Sequence, residues 1–215
     1  MQNPYVHPMP FHDWSTLKLP QGPALSKRFI RALGYTAKLH AKQIRKRTKR
    51  PYIGHLLGVA SIVIEYGGDE DMAIGALLHD AVEDQGGLPR LREIQKKFGK
   101  RVARIVEGCT DAYAQPKSPW LERKRAYITR LAGEAADVCL VSAADKLSNA
   151  RETLYEVRVD GDSVYDRFAG KKLGTLWYYR ELLRVFHQAG TNPLVEELDR
   201  VVSELERLSG FRPGN

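Results

Sequence analysis

Cysteine is nearly absent from this chain: Cys109 and Cys139 are the only two among 215 residues, and their separation is not that of a ligand pair. That argues against a thiolate metal centre and a disulfide scaffold, and leaves two small apolar side chains suited to a reducing cytoplasm. Long apolar runs are also missing. No stretch approaches the roughly 20 residues of a bilayer span, so membrane insertion is not expected. The first residues lack a basic segment followed by an apolar one, so no secretory signal is expected either. Strand-like alternation of useful length and internal repeats are both wanting. Acidic residues are outnumbered: 26 Asp and Glu face 34 Lys and Arg, a net charge of +8 that favours an anionic partner.

What is present is helical periodicity. Residues 1–23 are rich in proline and aromatics and read as an extended arm, docked in part through Tyr5, Phe11 and Trp14. Residues 24–215 read as one domain. From about Leu25, apolar residues such as Phe29, Ile30, Leu33 and Ala37 recur at helical spacing. The pattern predicts helices over Ile53–Tyr66, ended by Gly67-Gly68, and over Met72–Val82, capped by Asp69 or Asp71. Further helices are expected over Leu88–Phe98, Val102–Tyr113, Leu121–Leu131, Ala135–Leu154, Gly174–Phe186 and Leu194–Leu208, with a loop at Gln115–Pro119. The fold class is all-α, with roughly eight to ten helices in a non-bundle packing.

The chemistry gathers at Ala76–Asp84, which reads Ala-Leu-Leu-His-Asp-Ala-Val-Glu-Asp. An apolar run delivers an imidazole and a carboxylate side by side at His79-Asp80, and Glu83 and Asp84 follow one turn later. Such groups are costly to bury unless paired or ligated. A solvated helix end is the competing reading, and the dipeptide alone does not separate the two: His12-Asp13 repeats it in the arm without the preceding apolar helix. Two more residues change the balance. His55 opens the apolar helix after Pro51-Tyr52-Ile53-Gly54, and Asp145 closes the apolar run Val138–Ala144. For Asp145 a salt bridge to Lys146 or Arg151 is the alternative. Together, two imidazoles and two carboxylates form a nitrogen–oxygen donor set that suits Mn²⁺, Fe²⁺ or Zn²⁺ better than Ca²⁺. Asn149 shares a helical face with Asp145. Just before His55 comes the densest basic run in the chain, Lys42, Arg45, Lys46, Arg47, Lys49 and Arg50.

These ordered blocks resemble the HD-domain phosphohydrolases, and within them the hydrolase domain of RelA/SpoT-type alarmone enzymes and their small stand-alone hydrolases. The likeness runs from about Leu33 to Phe186. It is carried by Arg45-Lys46 with Pro51-Tyr52-Ile53-Gly54-His55, by Leu77–Asp84, and by Ala144-Asp145-Lys146-Leu147-Ser148-Asn149-Ala150-Arg151. The resemblance implies the HD-domain helical fold. It implies that His55, His79, Asp80 and Asp145 bind a metal, usually Mn²⁺ or another divalent transition metal. Glu83 and Asp84 would act around the attacking water, and Arg45, Lys46 and Asn149 would contact the nucleotide and its phosphates.

The implied reaction removes the 3′-pyrophosphate of ppGpp or pppGpp, leaving GDP or GTP, in the cytoplasm. The expected partner is a small phosphorylated nucleotide, with neither nucleic acid nor membrane. Two positions depart from the family: Gln85 stands where Thr is common, and Ser148 where His is common. About thirty residues follow Phe186, too few for a synthetase domain, so a bifunctional enzyme is not expected. Three alternatives stay open: hydrolysis of another phosphorylated nucleotide such as NADPH, a non-catalytic nucleotide-binding regulatory module, and a nucleic-acid binder using the basic turn. Arg123 and Lys124 are candidates for a second phosphate contact, and Tyr178 and Tyr179 for the base pocket.

Overall fold

The computed structural model describes residues 25–45, 48–113, 118–190 and 192–211. Ten α-helices occur among them: α1 Lys27–Leu39, α2 Ile53–Glu65, α3 Glu70–Leu78, α4 Ala81–Gln85, α5 Gly87–Phe98, α6 Lys100–Cys109, α7 Trp120–Leu131, α8 Ala136–Asp160, α9 Lys171–Ala189 and α10 Pro193–Leu208. A 3₁₀ helix, Gly161–Arg167, links α8 to α9. No strand is present among the described residues, only an isolated bridge between Ile44 and Pro51. None of these helices is long and apolar enough to cross a membrane. The arm, its His12-Asp13 pair, Lys46, Arg47 and most of the Gln115–Pro119 loop lie outside the described residues.

Local chemistry sets most of the boundaries. Ser26 caps α1 by accepting from the Arg28 N–H, Asp69 caps α3 by accepting from Met72, and Asn192 caps α10 by accepting from Val195, with Pro193 in the first turn. Gly67, at φ +83°, lets the chain turn out of α2.

Helix α3 is the centre of the molecule. Every residue from Ala73 to Leu78 is buried, and Leu77 and Leu78 are fully so. Each such leucine contributes roughly 1.5–3 kcal/mol of burial. Helices α1, α2, α6 and α8 all pack against it. Gly75 permits the approach of α6: a Cβ there would lie 2.6 Å from Ile105 Cγ2. The long helix α8 runs alongside α2, α6 and α10, and its first half is buried from Val138 to Asp145 apart from Leu140.

Three expectations need correction. Met72–Val82 is not one helix: α3 stops at Leu78 and α4 starts at Ala81, with Asp80 at φ −95° and ψ −2°. No glycine or proline causes this break. His79 turns Nδ1 back onto the Ala76 carbonyl of α3 and Asp80 takes the Tyr52 hydroxyl, while Ala81 and Val82 re-enter the core and anchor α4. Helix α6 ends at Cys109, four residues short of the expected end, because Thr110 is extended and turns its hydroxyl back onto the Val106 carbonyl. Helix α8 continues past Leu154 to Asp160, since Leu154 and Val157 remain buried.

Candidate active site

The break between α3 and α4 puts Asp80 on the wall of a cavity that residues of α2 and α8 also line, with His79 buried beside it. His55 enters from the first turn of α2 and Asp145 from the middle of α8. One ligand atom from each of His55, His79 and Asp80 lies within 4.8 Å of the others. Asp145 Oδ1 is 3.2 Å from His55 Nε2 and 3.5 Å from His79 Nε2, and Asp80 Oδ2 is 3.0 Å from His79 Nε2. Both imidazoles are buried.

Each of these side chains is held from behind. His79 Nδ1 lies 2.8 Å from the Ala76 carbonyl, which only accepts, so Nδ1 carries the proton and Nε2 is the atom turned to Asp80 and Asp145. His55 Nδ1 is 3.2 Å from Ser148 Oγ. The buried hydroxyl of Tyr52 donates to Asp80 Oδ2 at 2.5 Å, and burial followed by the Asp80 charge pushes its pKa far up, so it remains a donor. Asp145 accepts from Lys146 Nζ on Oδ2 and from Asn149 Nδ2 on Oδ1, both at 2.6 Å. Lys146 is therefore the ion-pair partner of Asp145, while Arg151 pairs with Glu197.

The electrostatics are those of a site built around a cation. Burial would lower the pKa of His79, but the Asp80 and Asp145 carboxylates overcome it and hold the pKa well above the usual imidazole value. Burial would likewise raise Asp80 and Asp145, yet the surrounding positive charges, His79 for the first and Lys146 for the second, keep both below the usual carboxylate range. His79 Nε2 is buried and makes no well-aligned hydrogen bond despite the carboxylate oxygens 3.0 and 3.5 Å away. Ligand atoms of His55, His79 and Asp80 cluster within reach of one ion, with Asp145 Oδ1 beside both imidazoles. That donor set fits a divalent transition metal.

The two carboxylates of α4 take different places. Glu83 lines the cavity of about 180 Å³ with Tyr52, His55, Asp80, Asp145, Lys146 and Asn149, and Glu83 Oε2 accepts from the Asp111 N–H at 3.3 Å. Asp84 sits on the exposed rim, where it accepts from Gln43 Nε2 at 2.8 Å. Gln85 donates to Gln43 Oε1 at 2.5 Å, so the departure from Thr at this position braces the contact to Asp84.

The cavity opens into a larger one of about 330 Å³, with which it shares Lys124, Lys146, Asn149 and Tyr178. Arg45 lies in this second space, pairing with Glu152, reaching Asn149 Oδ1 at 3.0 Å and crossing the Tyr52 ring at 5.6 Å. Trp120, Phe168, Tyr178 and Tyr179 supply its aromatic walls. The residues that sequence reasoning missed are Asp111 and the supporting roles of Tyr52 and Ser148. Tyr52 and Ser148 stand inside the quoted blocks and carry that much signal, whereas Asp111 carries none.

A family model for the HD domain matches residues 32–176. Guanosine-3′,5′-bis(diphosphate) 3′-pyrophosphohydrolase MESH1 of Homo sapiens is 38% identical over 128 residues, which cover 58% of this chain and 69% of that protein. The Xenopus tropicalis MESH1 is 41% identical over 126 residues, covering 57% and 68%. Among solved structures, a metazoan ortholog of SpoT that hydrolyzes ppGpp superposes with a TM-score of 0.70 at 27% identity, covering 89% of this chain and 100% of that one.

Proposed function

This chain belongs to the HD domain family, and on that premise we propose that it removes the 3′-pyrophosphate of ppGpp or pppGpp, leaving GDP or GTP. The observation that carries the reading is the convergence of His55, His79, Asp80 and Asp145 beside Glu83, in a cavity that opens onto a cationic, aromatic-walled space. In this reaction one water adds to phosphorus, the bond between that phosphorus and the 3′ oxygen breaks, pyrophosphate leaves, and the ribose keeps a hydroxyl.

A divalent transition metal, Mn²⁺ in our reading, held by His55, His79, Asp80 and Asp145, would lower the pKa of the attacking water and offset charge on the phosphoryl oxygens. The chain's own groups prepare for this. The Ala76 carbonyl fixes the His79 tautomer, Ser148 orients His55, Tyr52 holds Asp80, and Lys146 with Asn149 hold Asp145. Glu83, facing the cavity, takes the proton from water, and Asp84 on the rim assists in passing it to solvent. Arg45, Lys46 and Asn149 bind the nucleotide phosphates, with the Arg45 guanidinium suited to two-point contact. Arg45 exchanges Glu152 for a phosphate in doing so. The free thiols Cys109 and Cys139 support a reducing cytoplasm as the compartment.

The test is to supply metal-free protein with Mn²⁺ and a panel of ppGpp, pppGpp, NADPH and common nucleotides. GDP and pyrophosphate in equal amounts from ppGpp are expected. Turnover of NADPH or another nucleotide with ppGpp untouched overturns the alarmone reading, and turnover of none overturns the enzyme.

A further inference from the structure

Each of the three described cations that line the larger cavity has a carboxylate partner. Lys146 Nζ is bound to Asp145 Oδ2 at 2.6 Å, and Arg45 is paired with Glu152. The third, Lys124, comes from the first turns of α7 and lines both the metal-ligand cavity and the larger space. Its carboxylate partner, Asp111, lies in the segment after α6. A single oxygen of Asp111, Oδ2, accepts from Lys124 Nζ at 2.7 Å and from Arg123 Nη1 at 3.0 Å. One carboxylate oxygen thus serves two cations. The ammonium has three N–H donors and spends one on Asp111. The Tyr178 ring lies below it, 4.7 Å from Nζ to the centroid.

We propose that Lys124 is a substrate-phosphate contact of this site and that Asp111 is the positioning residue that holds it there. The proposal rests on the reading of the substrate as a polyphosphate nucleotide. Asp111 does two jobs from one loop: its backbone N–H donates to Glu83 on α4 while its carboxylate fixes Lys124 on α7. It therefore sets the spacing between the cavity carboxylate and the phosphate contact. It also keeps Lys124 charged. Burial lowers the Lys124 pKa, Asp111 opposes that, and Lys146 and Arg123 add to the lowering, with the neutral Tyr178 ring completing the surroundings. Without Asp111, a largely buried ammonium beside Lys146, Arg123 and an aromatic ring gives up its proton more readily.

The experiment uses Mn²⁺-loaded protein freed of excess metal, with two readouts: calorimetric binding of inorganic pyrophosphate, and KM and kcat for ppGpp. Lys124→Met is expected to weaken pyrophosphate binding and raise KM roughly ten- to hundredfold, the value of a hydrogen bond to a charged group. Lys124→Arg retains most of both, and neither variant changes Mn²⁺ affinity or Tm. Asp111→Asn raises KM increasingly as the pH climbs from 7 to 9, and adding Lys124→Arg removes that pH dependence, because a guanidinium does not deprotonate there. Unchanged pyrophosphate affinity in Lys124→Met overturns the phosphate contact. A pH-independent defect in Asp111→Asn that Lys124→Arg leaves unrepaired overturns the positioning role. Lys124-dependent pyrophosphate binding without ppGpp turnover would sink the substrate reading alone.

Discussion

Metal uptake by this protein is expected to expel one proton from His79. Nδ1 of that ring is committed to the Ala76 carbonyl and keeps its hydrogen throughout, so Nε2 is the single exchangeable position. Without metal, Nε2 lies 3.0 Å from Asp80 Oδ2 and 3.5 Å from Asp145 Oδ1, and these carboxylates, opposing burial, hold the imidazole pKa well above its ordinary value. These carboxylates favour the protonated ring in the metal-free protein. A cation and that proton cannot share one lone pair. Asp80 and Asp145 contribute no further protons, because their pKa values are lowered by His79 and Lys146 and both are already ionised. One proton exchanged per metal makes the apparent Kd tenfold tighter per pH unit, about 1.4 kcal/mol, as long as the pH stays below the folded pKa of His79. Calorimetric titration of Mn²⁺ into metal-free protein, in two buffers of different ionisation enthalpy, counts the proton directly. A heat independent of buffer together with a pH-independent Kd would refute the reasoning.

Other outcomes follow from the same geometry. His79→Ala is expected to abolish Mn²⁺ binding, whereas Glu83→Gln keeps the metal, seen by calorimetry, and loses roughly a hundredfold or more in kcat; loss of metal in Glu83→Gln would make Glu83 a ligand. Asp84→Asn, on the rim, is expected to cost less than Glu83→Gln in the same assay. In metal-free protein the raised pKa of His79 stabilises the fold fully below about pH 6.5 and that contribution fades as the pH rises through the folded value. Urea midpoints should therefore fall toward alkaline pH in the wild type and stay flatter in His79→Gln. Gly75→Ala places a methyl 2.6 Å from Ile105 Cγ2 and is expected to cost about 1–3 kcal/mol in urea unfolding.

Much of this was legible in the sequence because it is local. Asp69 and Gly67 mark helix ends by their own backbone chemistry, and the structure has boundaries at both. The four metal-ligand candidates stood out because charged groups at the ends of apolar runs need a partner. The break at His79-Asp80 was not legible, since neither residue disfavours a helix and the cause is tertiary: partners on α2 and α8 draw the chain off its axis. Asp111 was invisible for a similar reason. It sits in an unremarkable loop, and only the packing of α7 against α9 brings Lys124, Tyr178 and that loop to the edge of the cavity. The difference between Glu83 and Asp84 also needed the structure, because adjacent residues on a five-residue helix diverge by about 100°.

The central claim is that water, activated beside Glu83 and the four converging ligands, attacks phosphorus and releases the 3′ oxygen of the nucleotide. Turnover of ppGpp by Mn²⁺-loaded protein in ¹⁸O-labelled water tests it most directly. The account expects one label in the pyrophosphate and none in GDP. Label in the ribose hydroxyl, or release of orthophosphate in place of pyrophosphate, would contradict it.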